Sequence, residues 1–256
     1  MNDLVTWFAS VLPKTYEYRE MFFYGILTTL GVSAVSILIG VFLGLLGALT
    51  RILRFEKGNI ALRGLAWCLR QLSLLYVTLF RGTPLFVQIF IWYFVWFPLL
   101  VHPEHGWLMS GMEAQDFRRN YGALSAGILA LSTNAGAYIT EIFRAGIQSI
   151  DKGQMEAARS LGLTYPQAMR CVVLPQALRR MLPPLANEFI TLLKDSSLLS
   201  AISVAEIAYV QKTISGRYYI YEEPLYVVAF IYLMMTICLS WLFSFLEKKY
   251  NAAHHG

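Results

Sequence analysis

Residues 21–50 read MFFYGILTTLGVSAVSILIGVFLGLLGALT, thirty residues without an Asp, Glu, Lys or Arg. A helix needs about 20 apolar residues to cross the hydrocarbon core of a bilayer. This block exceeds that length and carries no charge to oppose insertion. Residues 82–101, 120–140 and 224–246 are equally free of charged side chains. A soluble domain could hold four such blocks only if several helices were apolar on every face. The stretch therefore predicts an all-α integral membrane protein.

The composition agrees. Of 256 residues, 57% are hydrophobic and 14% are charged, against about 25% charged in an average soluble domain. The formal net charge of +5 needs no nucleic-acid partner, because most Lys and Arg fall between the apolar blocks. Cys68, Cys171 and Cys238 have neither disulfide nor metal spacing. The first residues carry no basic run ahead of an apolar core, so no cleavable signal is expected.

A weaker fifth block covers 185–206, interrupted by Glu188, Lys194 and Asp195. The five predicted spans are then 22–50, 84–101, 121–143, 185–206 and 224–246, forming one membrane domain over 1–256. Cytoplasmic loops are enriched in Lys and Arg. With the N-terminus outside and the C-terminus cytoplasmic, fourteen basic residues fall in the inner segments 51–83, 144–183 and 247–256, and six fall outside. Counting 59–80 as a further span would place adjacent basic loops on opposite sides. That segment is read instead as an interfacial or half-buried helix. A true span followed by tight re-entry at Gly82 and Pro84 is the alternative.

The stretch 144–183, with 151–177 at its centre, is the most informative. Residues 154–161 are strong helix formers, and Gly162 closes them as a residue just past a helix end does. Thr164 with Gln167 forms a capping box, starting a second short helix expected to stop before Pro175. Met155, Ala158 and Leu161 recur every three residues and give the first helix an apolar face. Ala157 and Ala158 leave its backbone nearly bare, which suits a docking peg for a cytoplasmic partner.

Glu156, Ala157, Ala158, Gly162, Val172, Leu174 and Pro175 resemble the E-A-A-x3-G-x9-I-x-L-P signature of binding-protein-dependent ABC importer permeases, with Val for Ile at 172. Arg81-Gly82-Thr83-Pro84 with Gln88, Asn134 to Tyr138 with Glu141 to Arg144, and Lys194 to Leu198 resemble further motifs of the polar amino-acid subfamily, the histidine, glutamine and glutamate type. The likeness covers about residues 22–246. It implies a type I ABC importer permease fold with a cytoplasmic coupling helix, placed in the bacterial inner membrane. It also implies cytoplasmic ABC ATPase subunits, a periplasmic or surface substrate-binding protein and a second permease subunit as partners, with lipid around the spans. The ATPase-coupling residues would be Glu156, Ala157, Ala158, Gly162, Leu174 and Pro175.

No G-x4-G-K-[ST] phosphate loop occurs, so ATP hydrolysis is assigned to a separate subunit. The His residues at 102, 105, 254 and 255 lie in loops or at the terminus, and no metal or other cofactor is expected. The loop 102–120 carries no assigned role. Ionisable groups within spans usually face an interior or a water-filled cavity. Asn134, Tyr138 and Glu141 share one face of the third span, and Asn187, Thr191 and Lys194 share one of the fourth, with Glu188 and Asp195 beside them. These are the candidates for a path that a zwitterionic amino acid could follow. Glu141 and Glu188 can equally pair with inner bases such as Arg144, and Arg81 and Arg144 are read as cytoplasmic anchors. Ser36, Gly40, Gly44 and Ala48, and Gly122, Ala126, Ala130 and Asn134, recur every four residues and are read as packing seams. A stand-alone secondary carrier and a non-transporting membrane scaffold are the alternative functions.

Overall fold

The computed structural model describes residues 12–52 and 60–252; Arg54, Lys57, His254 and His255 lie outside them. Apart from one bridging pair, Val101 with Met109, every regular element described is helical. The order is α1 (Pro13–Glu17), α2 (Arg19–Ile52), α3 (Ile60–Gly82), α4 (Leu85–Ile91), a π turn (Trp92–Trp96), α5 (Phe97–Leu100), α6 (Gly111–Gln148), α7 (Lys152–Ser160), α8 (Tyr165–Ala168), a second π turn (Met169–Val173), α9 (Leu174–Asp195), a 3-10 segment (Ser196–Ile202), α10 (Ile207–Tyr218) and α11 (Glu222–Ala252).

α2, with 34 residues, is about 50 Å long at 1.5 Å per residue, longer than the roughly 30 Å hydrocarbon core. α2, α3 and α11 are each long and apolar enough to cross a membrane, and Leu85–Leu100 is a shorter apolar helix. α3 thus has the length and composition of a crossing helix, the alternative left open for 59–80. Leu62, Leu65, Leu69 and Leu72 lie open on its first half, while Ser73 and Val77 are buried on its second.

Three boundaries differ from expectation. The third helix starts at Gly111 rather than 121, because the polar run 111–120 is helical, and the loop before it shrinks accordingly. The fourth starts at Leu174 and its α-helical part ends at Asp195, giving way to the 3-10 segment and to Ser203 in the left-handed region. The chain also does not break before Pro175. Each π turn ends two residues before a proline, Pro98 and Pro175. Proline lacks the N–H for the i−4 carbonyl and its ring crowds that carbonyl. A widened turn removes the conflict and keeps the axis helical.

The helices assemble as two compact units. The first comprises residues of 12–36, 85–131 and 191–239, the second those of 37–84, 132–190 and 240–252. In the first, Phe22, Ile207, Val210 and Ile214 form a core flanked by Tyr18, Tyr218 and residues of α11. The fully buried Glu206 carboxylate accepts hydrogen bonds from the Tyr232 hydroxyl at 2.6 Å and the Tyr209 N–H at 2.8 Å. That satisfies a charge-bearing group that burial alone would destabilise. In the second unit, α2 packs on α6 along the expected small-residue seam. A Cβ on Gly44 would lie 2.5 Å from Ile139, so glycine is what permits the approach. α3 is tied in by the Ser73 hydroxyl donating to the Gly47 carbonyl at 3.0 Å and the Tyr76 hydroxyl to the Thr133 carbonyl at 2.6 Å.

Candidate coupling segment and translocation cleft

The segment after α6 is built from local capping chemistry. Asp151 caps α7, its carboxylate accepting from the Gly153 N–H at 2.6 Å. At the other end Gly162 adopts φ +88°, a conformation that costs an L-residue with a Cβ. The Gly162 N–H donates to Arg159 O at 3.0 Å and the Leu163 N–H to Ala158 O at 3.3 Å. These two bonds are the Schellman pattern and satisfy carbonyls that a helix end would leave open. Gln167 then accepts from the Thr164 N–H at 2.9 Å and starts α8. The result is a short helix, a sharp left-handed turn and a second helix that continues through the π turn into α9.

The segment is pinned rather than loose. Gln176 donates to Gln154 at 3.2 Å, and Arg180 donates to the Ser149 carbonyl. The expected single apolar face is split: Ala158 is 4% exposed, packed inward, but Leu161 is 85% exposed. Leu161 is the residue at which α7 ends, so the turn swings it off the face that Ala158 occupies. Glu156, Ala157, Leu161, Gly162 and Pro175 are all exposed, and Leu174 is partly buried.

A cleft of about 540 Å³ opens in the same unit, lined by Arg81, Tyr138, Glu141, Asn187, Glu188 and Arg180, with Ser149, Pro184 and the 142–146 turn of α6. Of the eight residues expected along the path, the cleft brings together Tyr138, Glu141, Asn187 and Glu188. Asn134 is not among its lining residues: its amide is buried and donates to the Phe80 carbonyl at 3.1 Å. It stands one turn of α6, about 6 Å along the axis, before Tyr138, where that bond ties it to the end of α3. Thr191, Lys194 and Asp195 do not line the cleft either, and Lys194 is exposed.

Arg81, expected as a cytoplasmic anchor, lines the cleft, its guanidinium 5.0 Å from the Tyr138 ring centroid in a cation–π contact. The R-G-T-P motif in which it stands was the available signal. Arg180 gave none, being one of several bases in a polar run. Glu141 is clamped: Arg51 donates to one carboxylate oxygen, and Arg144 to the other through two nitrogens, at 2.7 and 2.9 Å. Such charge-assisted contacts are among the stronger hydrogen bonds available to a carboxylate.

Residues 59–252 match the family described as the binding-protein-dependent transport system inner membrane component. The chain belongs to that family. The permease is 38% identical over 231 residues to the Bacillus subtilis protein named "Probable amino-acid ABC transporter permease protein YckA", covering 90% of this chain and 88% of that one. It is 34% identical to the arginine transport system permease protein ArtQ of the same organism, covering 94% and 96%. A solved structure described as an amino acid ABC transporter with histidines superposes with a TM-score of 0.73 at 35% identity, covering 93% of this chain and 98% of that one. The fold is therefore that of an ABC importer permease, all-α and multi-pass in the inner membrane. The permease is a non-catalytic subunit of an ABC transporter, dependent on an ATPase and a substrate-binding protein. The carrier and scaffold readings are set aside.

Proposed function

We propose that this permease carries a polar amino acid inward, and that the cleft at Arg81, Tyr138, Asn187 and Glu188 forms part of its route. A zwitterion needs a cationic partner for its carboxylate and an acceptor for its ammonium. Arg81 and Arg180 supply the first and Glu188 the second, while Tyr138 and Asn187 offer neutral hydrogen bonds. Glu141 is held by Arg51 and Arg144 and acts as scaffold for that wall. The coupling segment 151–177 presents Glu156, Ala157, Leu161 and Gly162 to the ATPase, with Leu174 and Pro175 joining it to α9. On the charge bias α3 stays on the inner side despite its length, so that the chain crosses the membrane five times, N-terminus outside and C-terminus cytoplasmic, and works beside a second permease subunit that is a copy or a relative.

The observation that carries this reading is the gathering of both charge signs and two neutral polar groups in one cleft of an otherwise apolar protein. The names of the arginine and amino-acid relatives support the substrate class. The test is uptake of labelled arginine, histidine and glutamine by vesicles holding the permease, its ATPase and its binding protein. Arg81→Ala and Asn187→Ala should each lower uptake about tenfold, the equivalent of about 1.4 kcal/mol, while ATPase subunits still co-purify. Unchanged uptake in both variants would remove the cleft from the route. Uptake of none of the three would remove the substrate class.

A further inference from the structure

The loop between α5 and α6 belongs neither to the coupling segment nor to the cleft. From its sequence, VHPEHGWLMS over 101–110, His102 and His105 read as isolated loop residues. The fold brings them together, because the loop is closed by a dense set of backbone bonds. The His102 N–H donates to Met109 O at 3.2 Å, the Gly106 N–H to His102 O at 3.2 Å, the Leu108 N–H to Leu100 O at 2.8 Å and the Gly111 N–H to Pro103 O at 2.8 Å. Gly106 is essential to the closure: a Cβ there would lie 2.0 Å from Met109 O and 2.4 Å from the His102 nitrogen. The tight turn lays the His105 ring on the His102 ring, centroids 3.7 Å apart and planes 29° apart.

We infer that His102, Glu104 and His105 form a binding site for a divalent transition-metal ion of the zinc class. One donor atom from each of the three lies within 4.8 Å of the others. Two imidazoles and a carboxylate are a donor set that zinc uses in open, three-ligand sites. Imidazole ligands favour zinc and its neighbours over magnesium or calcium. His102 Nδ1 accepts from the Glu104 N–H at 3.2 Å, which puts its lone pair on the inner side of the turn, where an ion would replace that amide. Metal–ligand distances of about 2.0–2.2 Å require the three donors to draw in by about 1 Å. Glu104 and His105 are exposed and have room to do so. His105 must turn out of the stack for both lone pairs to converge. Arg118, which lines a pocket with His102, opposes the ion's charge, and the Glu104 carboxylate offsets it. Because the loop is already closed, the ion does not have to pay for ordering it.

The test uses the full chain, purified through a tag without histidine and carrying His254→Ala and His255→Ala so that the terminal pair cannot compete. Zn²⁺ alone is titrated against a chromogenic chelator, with Mg²⁺ and Ca²⁺ as controls. The expected result is one Zn²⁺ per chain, no response to the controls, and at least about tenfold weaker binding in His102→Ala and His105→Ala, the smallest loss that disturbed metal sites generally show. Unfolding temperatures of the variants without metal establish that they fold. Should either variant fail to fold, X-ray absorption of the zinc-loaded parent chain decides, with two imidazole nitrogens and a carboxylate oxygen expected. No stoichiometric binding, binding unchanged in a folded His102→Ala or His105→Ala variant, or an absorption signature without two imidazoles would each overturn the site.

Discussion

Glu141 sits between Arg51, whose side chain is 7% exposed, and Arg144, at 35%. The asymmetry in burial sets the energetics. Arg51 has lost most of its water and depends on the carboxylate, while Arg144 can return to solvent. Removing one partner of a buried pair leaves a charge uncompensated and costs about 3–5 kcal/mol, whereas replacing both with apolar groups is often neutral. Glu141→Gln should therefore cost about 3 kcal/mol, and Arg144→Ala about 1 kcal/mol or less. The double change Arg51→Met with Glu141→Leu should recover most of the first loss. Thermal unfolding in detergent reads all three. An Arg144→Ala cost equal to that of Glu141→Gln would show that the burial argument is misapplied. From sequence, Glu141 has two possible readings, pathway or ion pair. The Arg144 half of the pair is local, at i+3, whereas the Arg51 half comes from α2, ninety residues away, and no local spacing carries it.

The coupling segment was the most legible element, and for a physical reason. Asp151, Gly162, Thr164 and Gln167 act on backbone groups within a few residues of themselves, so their chemistry is written in local order. Pro175 misled because a missing N–H can end a helix or be absorbed by a π turn, and the choice depends on what lies on either side. Gly162 is where the element can be tested. A β-branched residue at φ +88° is strained by roughly 1–2 kcal/mol, enough to open the two Schellman bonds without reaching the spans. Gly162→Val should leave helical circular dichroism unchanged and sharply reduce amino acid imported per ATP hydrolysed. Gly64→Val, at a glycine with open space around it and no positive φ, should leave that ratio near the parent value, although both add the same side chain. Equal losses in the two variants would mean that added bulk, and not the turn at Gly162, is responsible.

For the whole molecule, the long apolar helices were readable because bilayer thickness sets one length for all of them. The cleft was not, since Arg81, Tyr138, Arg180 and Asn187 come from three separate helices. The direction in which the chain crosses the membrane rests on charge alone: the basic residues crowd into segments 51–83 and 144–183. The proposed orientation has Gln154 facing the cytoplasm and Trp107 the outside, and both side chains are exposed. All three native cysteines are free and exposed, so they must first be replaced by Ser. In that background, Trp107→Cys should react with a membrane-impermeant maleimide in intact cells. Gln154→Cys should react only after the membrane is opened. Reaction at 154 in intact cells would put the coupling helix on the side where no ATP is hydrolysed, and the fourteen-to-six charge bias would then have to be explained by something other than orientation.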